Sequence, residues 1–213
     1  MFDLEVFASR DALYDEAARA LAEAAHYGLE EKGRASLALA GGSTPAPVYE
    51  RLARAEIAWS RVTVLLTDER QVPAGHPDSN ETMLRATLCR ERAAAVTFVP
   101  LQDALISRFC PFDGVLLGMG EDGHFASLFP GAPLLAHGLD LHGDRYVLDI
   151  PAAEPAPPQP RYSMTLRALS GSGVVLLVIT GDAKRAVLET ARENHLPVVA
   201  MIDALQPRIL WAA

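Results

Sequence analysis

Two residues with acid–base potential, Asp122 and His124, stand two positions apart inside the glycine-rich segment Gly118-Met119-Gly120-Glu121-Asp122-Gly123-His124, which continues Phe125-Ala126-Ser127-Leu128-Phe129-Pro130. An imidazole takes up and returns protons near neutral pH, and glycines allow a backbone to approach a ligand closely. The apolar run Val115-Leu116-Leu117 ahead of them reads as a buried strand emptying into this loop. Glu, Asp and Gly are also ordinary turn residues. Three glycines and a histidine at a strand exit are more than a turn requires, and the segment is read as a site of chemistry. Gly118, Gly120 and Gly123 also match the spacing of a dinucleotide-binding turn. That fold needs a long helix after the third glycine and an acid at the end of the next strand. Here Pro130-Gly131 stops any helix, Asp140 follows no strand-like run, and the loop's own acids would repel a pyrophosphate.

Other strand exits carry polar clusters as well. Ala35 to Ala40 leads into Gly41-Gly42-Ser43-Thr44-Pro45, with Ser43 or Thr44 expected as a helix N-cap and Pro45 as the first helical residue. The segment is read either as a phosphate cradle or as an efficient strand-to-helix turn, since capping and anion binding use the same residues. No Gly-Lys-Ser or Gly-Lys-Thr follows, so it is not a Walker loop. Arg61 to Thr67 empties into Asp68-Glu69-Arg70, a charge run whose placement at a strand exit favours a site over a solvated surface. Val174 to Thr180 empties into Gly181-Asp182-Ala183-Lys184, putting a lysine in a first helical turn, where the helix dipole disfavours a cation. That cost makes anion binding a plausible task for Lys184.

The elements that must carry these loops are a helix from Ser9 to Gly33, strands at 35–40, 61–67, 95–99, 113–117, 146–150, 174–180 and 208–211, and helices after 45, 80 and 182. His76-Pro77-Asp78-Ser79-Asn80 reads as a turn and cap, and 197–202 as strand or short helix. The proline-rich stretch 151–160 is too rich in proline for helix or central strand and is read as a crossing segment within one domain spanning 1–213. His26, His137 and His142 read as surface residues.

Composition narrows the function classes. A chain of 213 residues, 50% of them hydrophobic, can bury a core, and no apolar run is long enough to span a bilayer. The acidic start Met1-Phe2-Asp3-Leu4-Glu5 lacks the basic region of a secretory signal. The 2 cysteines, Cys89 and Cys110, form no C-x-x-C pair, which argues against zinc and a disulfide framework and for a cytoplasmic address. A formal net charge of -8 argues against extended nucleic-acid binding. An anionic substrate must be held by a few local arginines, lysines and backbone amides.

Taken together, Gly41 to Pro45, Thr67-Asp68-Glu69-Arg70 with Val72-Pro73, His76 to Asn80, Gly118 to His124 with Ala126 to Pro130, Arg161 with Met164-Thr165-Leu166, and Gly181 with Lys184 resemble the 6-phosphogluconolactonase family over nearly the whole chain. The resemblance implies a sugar-phosphate isomerase-like α/β fold, a Rossmann-like three-layer α/β/α sandwich with a mostly parallel sheet and no nucleotide. It implies hydrolysis of 6-phospho-D-glucono-1,5-lactone to 6-phospho-D-gluconate in the oxidative pentose phosphate pathway. Gln71, Phe125 and Arg167 depart from residues common in the family and touch specificity or packing more than chemistry.

Lactone hydrolysis needs an activated water, a place for charge on the carbonyl oxygen and a proton for the leaving ring oxygen. With no G-x-S-x-G for a serine acyl-enzyme, His124 is the expected general base, with Asp122 or Asp68 orienting it or the substrate. The amides of Gly41, Gly42, Ser43 and Thr44, together with Arg70, Arg161 and Lys184, are candidates for the 6-phosphate. No metal or organic cofactor is expected, the partner is the small phosphorylated lactone, and a monomer or weak homo-oligomer is anticipated. Two alternatives stand beside this reading. One is a glucosamine-6-phosphate deaminase-like enzyme, whose family carries Ala-Phe-Asn-Glu-Pro where this chain has Ala126-Ser127-Leu128-Phe129-Pro130. The other is a non-catalytic sugar-phosphate-binding protein.

Overall fold

The computed structural model describes residues 2–153 and 158–213. The described residues form ten strands: β1 (Leu4–Val6), β2 (Ala35–Leu39), β3 (Val62–Leu66), β4 (Asp68–Arg70), β5 (Thr97–Phe98), β6 (Gly114–Leu117), β7 (Val147–Ile150), β8 (Arg161–Met164), β9 (Val174–Thr180) and β10 (Arg208–Ala212). Seven form one sheet in the order β1-β10-β9-β6-β2-β3-β5, and every pairing in it is parallel. The helices are α1 (Arg10–Lys32), α2 (Ala46–Leu52), α3 (Asn80–Thr87), α4 (Asp103–Ile106), α5 (Leu135–Leu139), α6 (Leu166–Leu169), α7 (Asp182–Thr190) and α8 (Pro197–Leu205).

Successive side chains on a strand point to opposite faces, and both faces of this sheet are covered. Leu37, Leu39, Val64, Leu66, Leu116, Leu176, Val178 and Leu210 join a core with Leu13, Ala17 and Leu21 of α1, Val48 and Leu52 of α2 and Leu84 of α3. The intervening Ala38, Leu65, Val115, Leu117, Val175, Leu177, Ile179 and Ile209 face a second core with Leu188 of α7 and Val198, Met201 and Ile202 of α8. Continuous apolar strands and a three-layer architecture are thus the same fact, and the expected α/β sandwich is present.

α1 begins and ends as its sequence predicts. The Ser9 hydroxyl accepts from Ala12 N at 3.2 Å, and Gly33 closes the helix in the left-handed region at φ 69. Arg208 of β10 binds both carboxylate oxygens of Glu5 in β1 and reaches Glu16 of α1 at 2.7 Å, tying the sheet edge to its covering helix.

Several expectations are corrected. Asp68-Glu69-Arg70 is a strand, not a loop: β4 runs antiparallel to β8, which pairs with β7, in a separate three-stranded sheet. The strand at 146–150 therefore belongs to this second sheet, whose Val147, Leu148, Ile150 and Met164 pack into the core shared with α7 and α8. Pro45 is the N-cap of α2, which starts at Ala46, and neither Ser43 nor Thr44 caps it. The strand at 95–99 shrinks to Thr97–Phe98 because Glu91–Ala95 forms a 3-10 helix. The open choice at 197–202 resolves as helix, with proline at its first turn. Within the proline-rich crossing, residues 154–157 lie outside the described residues. His26, His137 and His142 are exposed.

Among the described helices none is long and apolar enough to cross a membrane.

Candidate active site

The order of the main sheet decides where a ligand can sit. From β2 the chain moves through α2 to β3 on one side, whereas β6 pairs with β2 on one flank and β9 on the other. The β2/β6 boundary is thus a switch point, and in parallel sheets the loops leaving neighbouring strands diverge there and open a crevice at the carboxyl ends. Gly41 to Thr44 leaves β2 and Gly118 to His124 leaves β6. Between them lies a cavity of about 250 Å³, lined by Ala40, Gly41, Gly42, Ser43, Thr44, Pro45, Asp68, Arg70, Asn80, Gly118, Met119, Gly120, His124, Ala126, Arg161 and Lys184. A larger cavity of about 400 Å³ lies beside it, behind β4, among Phe98, Leu101 and Val147; it shares Arg70 but contains no acid–base pair comparable to Asp122 and His124.

The β6 exit is held as a tight hairpin. Gly120 N donates to His124 O at 2.9 Å, and Gly123 N to Gly120 O at 3.1 Å. Gly123 has φ +76, and a Cβ there would come within 2.6 Å of Leu196. Its carbonyl accepts from Val198 N at 3.0 Å, fastening the loop to α8. Within this turn Asp122 Oδ1 lies 2.5 Å from His124 Nδ1 and accepts from His124 N at 3.2 Å. Burial pushes the Asp122 carboxyl up, but the His124 hydrogen bonds and charge outweigh it and hold the acid below its ordinary value. With Nδ1 directed at the acid, His124 Nε2 meets no hydrogen-bond partner among the described residues, and Phe129 packs against the ring, centroid to centroid 4.1 Å.

Asp68 is buried and oriented differently. Burial raises its carboxyl above the ordinary range, against the opposing pull of the Ser127 hydroxyl and of Arg161, His124 and Arg70. Ser127 Oγ donates to Asp68 Oδ2 at 2.6 Å, while Arg161 Nη1 stands 3.7 Å from the same oxygen. Of the two acids offered as partners for His124, Asp122 is therefore the one hydrogen-bonded to it.

The cations approach from separate elements. Arg70 and Arg161 come from β4 and β8, and Lys184 from the first turn of α7. Arg70 Nη1 donates to Asp78 O at 2.6 Å, and its Nε, like that of Arg161, is buried without a hydrogen-bond partner among the described residues. Burial lowers the Lys184 ammonium from its ordinary value, and Glu121 partly restores it. Phe129 also lies under Arg161, 5.3 Å from guanidinium to ring centre.

Every predicted site residue except Asp122 lines this cleft, and Asp122 reaches it through His124. Sequence reasoning left Asn80 and Ser127 without roles. Asn80 Nδ2 donates to Asp68 O at 2.8 Å, and its side chain fills the space a Cβ on Gly41 would need. Both residues sit inside motifs already noted, His76 to Asn80 and Ala126 to Pro130, but their partners come from other elements. Among the described residues no group of three or more His, Cys, Asp and Glu side chains is gathered as a metal site.

A parallel sheet covered by helices on both faces, with a crevice at its switch point lined by cations and an acid–base pair, defines a protein of the Rossmann-like α/β class. Residues 8–211 match the family model of glucosamine-6-phosphate isomerases/6-phosphogluconolactonase, and the chain belongs to that family. A 6-phosphogluconolactonase of Caulobacter vibrioides is 46% identical, covering 98% of this chain and 97% of its own. One of Rhizobium meliloti is 37% identical over 95% of this chain and 93% of its own. The crystal structure of a 6-phosphogluconolactonase from Shewanella baltica superposes with a TM-score of 0.90 at 27% identity, covering 100% of this chain and 98% of the other.

Proposed function

We propose that this chain is a 6-phosphogluconolactonase, hydrolysing 6-phospho-D-glucono-1,5-lactone to 6-phospho-D-gluconate in the oxidative pentose phosphate pathway. The observation that carries the reading is the Asp122–His124 pair set at 2.5 Å on the rim of a cleft supplied with Arg70, Arg161 and Lys184. Relatives named for this activity, up to 46% identical over nearly the full chain, support it.

In this mechanism Asp122 keeps the proton on Nδ1, so that Nε2 of His124 removes a proton from water as the water oxygen bonds to the lactone carbonyl carbon. Charge builds on the carbonyl oxygen. Collapse breaks the bond to the ring oxygen, which takes the proton back from His124 and leaves a carboxylic acid that ionises. Asp68, held by Ser127, orients the sugar by accepting from a hydroxyl group. The amides of Gly41, Gly42, Ser43 and Thr44, with Arg70, Arg161 and Lys184, hold the 6-phosphate. No metal or organic cofactor takes part.

All of these groups come from one chain, which suits a single unit spanning 1–213 that acts as a monomer or weak homo-oligomer. The free thiols of Cys89 and Cys110 and the phosphorylated substrate fit a cytoplasmic location. Deaminase chemistry is less well served: where those enzymes carry glutamate, Phe129 presents a ring to His124 and Arg161. The test is hydrolysis of freshly generated lactone, corrected for spontaneous opening, beside unphosphorylated gluconolactone and a His124→Ala variant. Fast, phosphate-dependent turnover that collapses in the variant is expected. Turnover no faster than background would sink the assignment.

A further inference from the structure

Between Asp68 and Arg70, both of which line the cleft, stands a glutamate that does not. Glu69 is nonetheless the most heavily hydrogen-bonded carboxylate near the site. Its Oε1 accepts from Arg70 N at 2.7 Å and Asn80 N at 2.8 Å; its Oε2 accepts from Ser79 Oγ at 2.9 Å and Glu81 N at 2.8 Å. Three of those donors belong to the start of α3, so β4 supplies a carboxylate cap to a helix it precedes by a loop. The helix does not lack a cap without it, because the Ser79 hydroxyl already accepts from Thr82 N at 3.2 Å.

What Glu69 fixes is the position of Asn80. Held by its backbone, Asn80 turns its side chain into the cleft, where Nδ2 donates to Asp68 O at 2.8 Å and Oδ1 accepts from Arg70 Nη1 at 3.3 Å. The same amide abuts the β2 exit so closely that a Cβ on Gly41 would lie 2.0 Å from it. One buried asparagine therefore touches the acid's backbone, the cation and the glycine loop, and Glu69 sets its place.

We propose that Glu69 is a positioning residue for substrate binding, acting through Asn80 to hold the Arg70 guanidinium and the Gly41 loop in register for the phosphorylated substrate. The proposal rests on the reading of the cleft as a sugar-phosphate site. The carboxylate is specifically required, because both oxygens accept from donors; an amide in its place turns an N–H towards a backbone N–H or the Ser79 hydroxyl.

The experiment compares the full-length protein with Glu69→Gln, Asn80→Ala and the double variant. Steady-state kinetics on the phosphorylated and unphosphorylated lactones, thermal unfolding, and calorimetric binding of inorganic phosphate are measured for each. KM for the phosphorylated lactone is expected to rise about 10-fold in either single variant, with kcat within about 2-fold and an unchanged pH profile. The double variant is expected to be no worse than the weaker-binding single one, since both break one chain of contacts. The rise in KM on unphosphorylated gluconolactone is smaller, and phosphate affinity falls in parallel with KM for the phosphorylated lactone. Variants that lose thermal stability while KM and phosphate affinity stay at parental values would overturn the proposal. If Glu69→Gln does not fold, Asn80→Ala decides on the same criteria. A parent protein that binds phosphate but does not hydrolyse lactone would instead sink the lactonase assignment, leaving the phosphate affinities of the variants to decide the role of Glu69.

Discussion

Arg70 and Arg161 occupy directly opposed positions across the β4–β8 ladder, the antiparallel register placing one guanidinium-bearing residue against the other. Like charges opposed across a ladder cost stability. Asp68 offsets part of that cost: its Oδ2, which accepts from the Ser127 hydroxyl, also forms an ion pair with Arg161 Nη1 at 3.7 Å. A pair of cations kept in that arrangement is expected to be stabilised by an arriving anion. Arg161→Met is therefore expected to raise KM for the phosphorylated lactone roughly 10- to 150-fold, the worth of a charge-assisted hydrogen bond. The loss on unphosphorylated gluconolactone should be smaller, and thermal stability should fall modestly as buried Asp68 loses its ion pair. An equal loss on both substrates would remove Arg161 from phosphate binding.

His124→Ala is expected to lower kcat about 10²- to 10⁴-fold while KM changes little, because the base acts in the transition state rather than in binding. Asp122→Asn keeps the size of the side chain but loses the charge that holds Nδ1–H, and should lose part of the same activity. Rapid-mixing assays of lactone opening measure both. Parental kcat in the His124 variant would transfer the base to another group, with Asp68 the first to examine.

Gly120→Ala offers a test of geometry without removing a functional group. An added Cβ would lie 2.2 Å from His124 Nδ1 and 2.5 Å from Asp122 Oδ1, so the pair must separate. Activity is expected to fall about 100-fold, the scale of an ångström-level misplacement, while the unfolding midpoint moves little. Crystallography of the variant would show whether the His124 ring has moved. Full activity with an undisplaced ring would contradict the account.

The ties between β1, α1 and β10 predict an acid limb of stability. Hydrogen bonds from Arg19, against a smaller cost of burial, and from Arg208 hold the Glu16 carboxyl at about 2, below its ordinary 4.5. A depressed acid contributes fully above its unfolded value and loses that contribution as pH falls from 4.5 towards 2. Glu16→Gln should therefore be less stable than the parent by about 1–2 kcal/mol at neutral pH, after screening by solvent. The gap should close near the bottom of that range. Urea unfolding across pH reads the difference, and a gap independent of pH would reject the electrostatic origin.

Six strands of the main sheet were legible because they are apolar on both faces, as Val174–Thr180 and Gly114–Leu117 are, or end where glycine, proline and serine mark an exit; Leu4–Val6, short and carrying Glu5, was not. In the second sheet Val147–Ile150 was legible and its two partner strands were not. Asp68-Glu69-Arg70 has neither length nor apolar alternation, and it becomes a strand only by pairing with Arg161–Ser163, a partner supplied from far along the chain. Gly41 to Thr44, Asp122, His124 and Lys184 stood out by residue type at strand ends. Asn80 and Ser127 did not, because an ordinary amide and hydroxyl take their roles from the Asp68 backbone and carboxylate that the fold brings to them.

β1 pairs with β10 alone among the described residues, so a strand made early is completed by one made some two hundred residues later. During synthesis on a ribosome, Leu4–Val6 must wait, its backbone amides turned to water or to transient partners, until Arg208–Ala212 has left the exit tunnel. The cleft-bearing strands β2, β3, β6 and β9 emerge earlier and pair with one another. Assembly of the crevice and closure of the sheet are therefore separable in time: a nascent chain can hold the crevice's framework while its edge is still open to protease or chaperone.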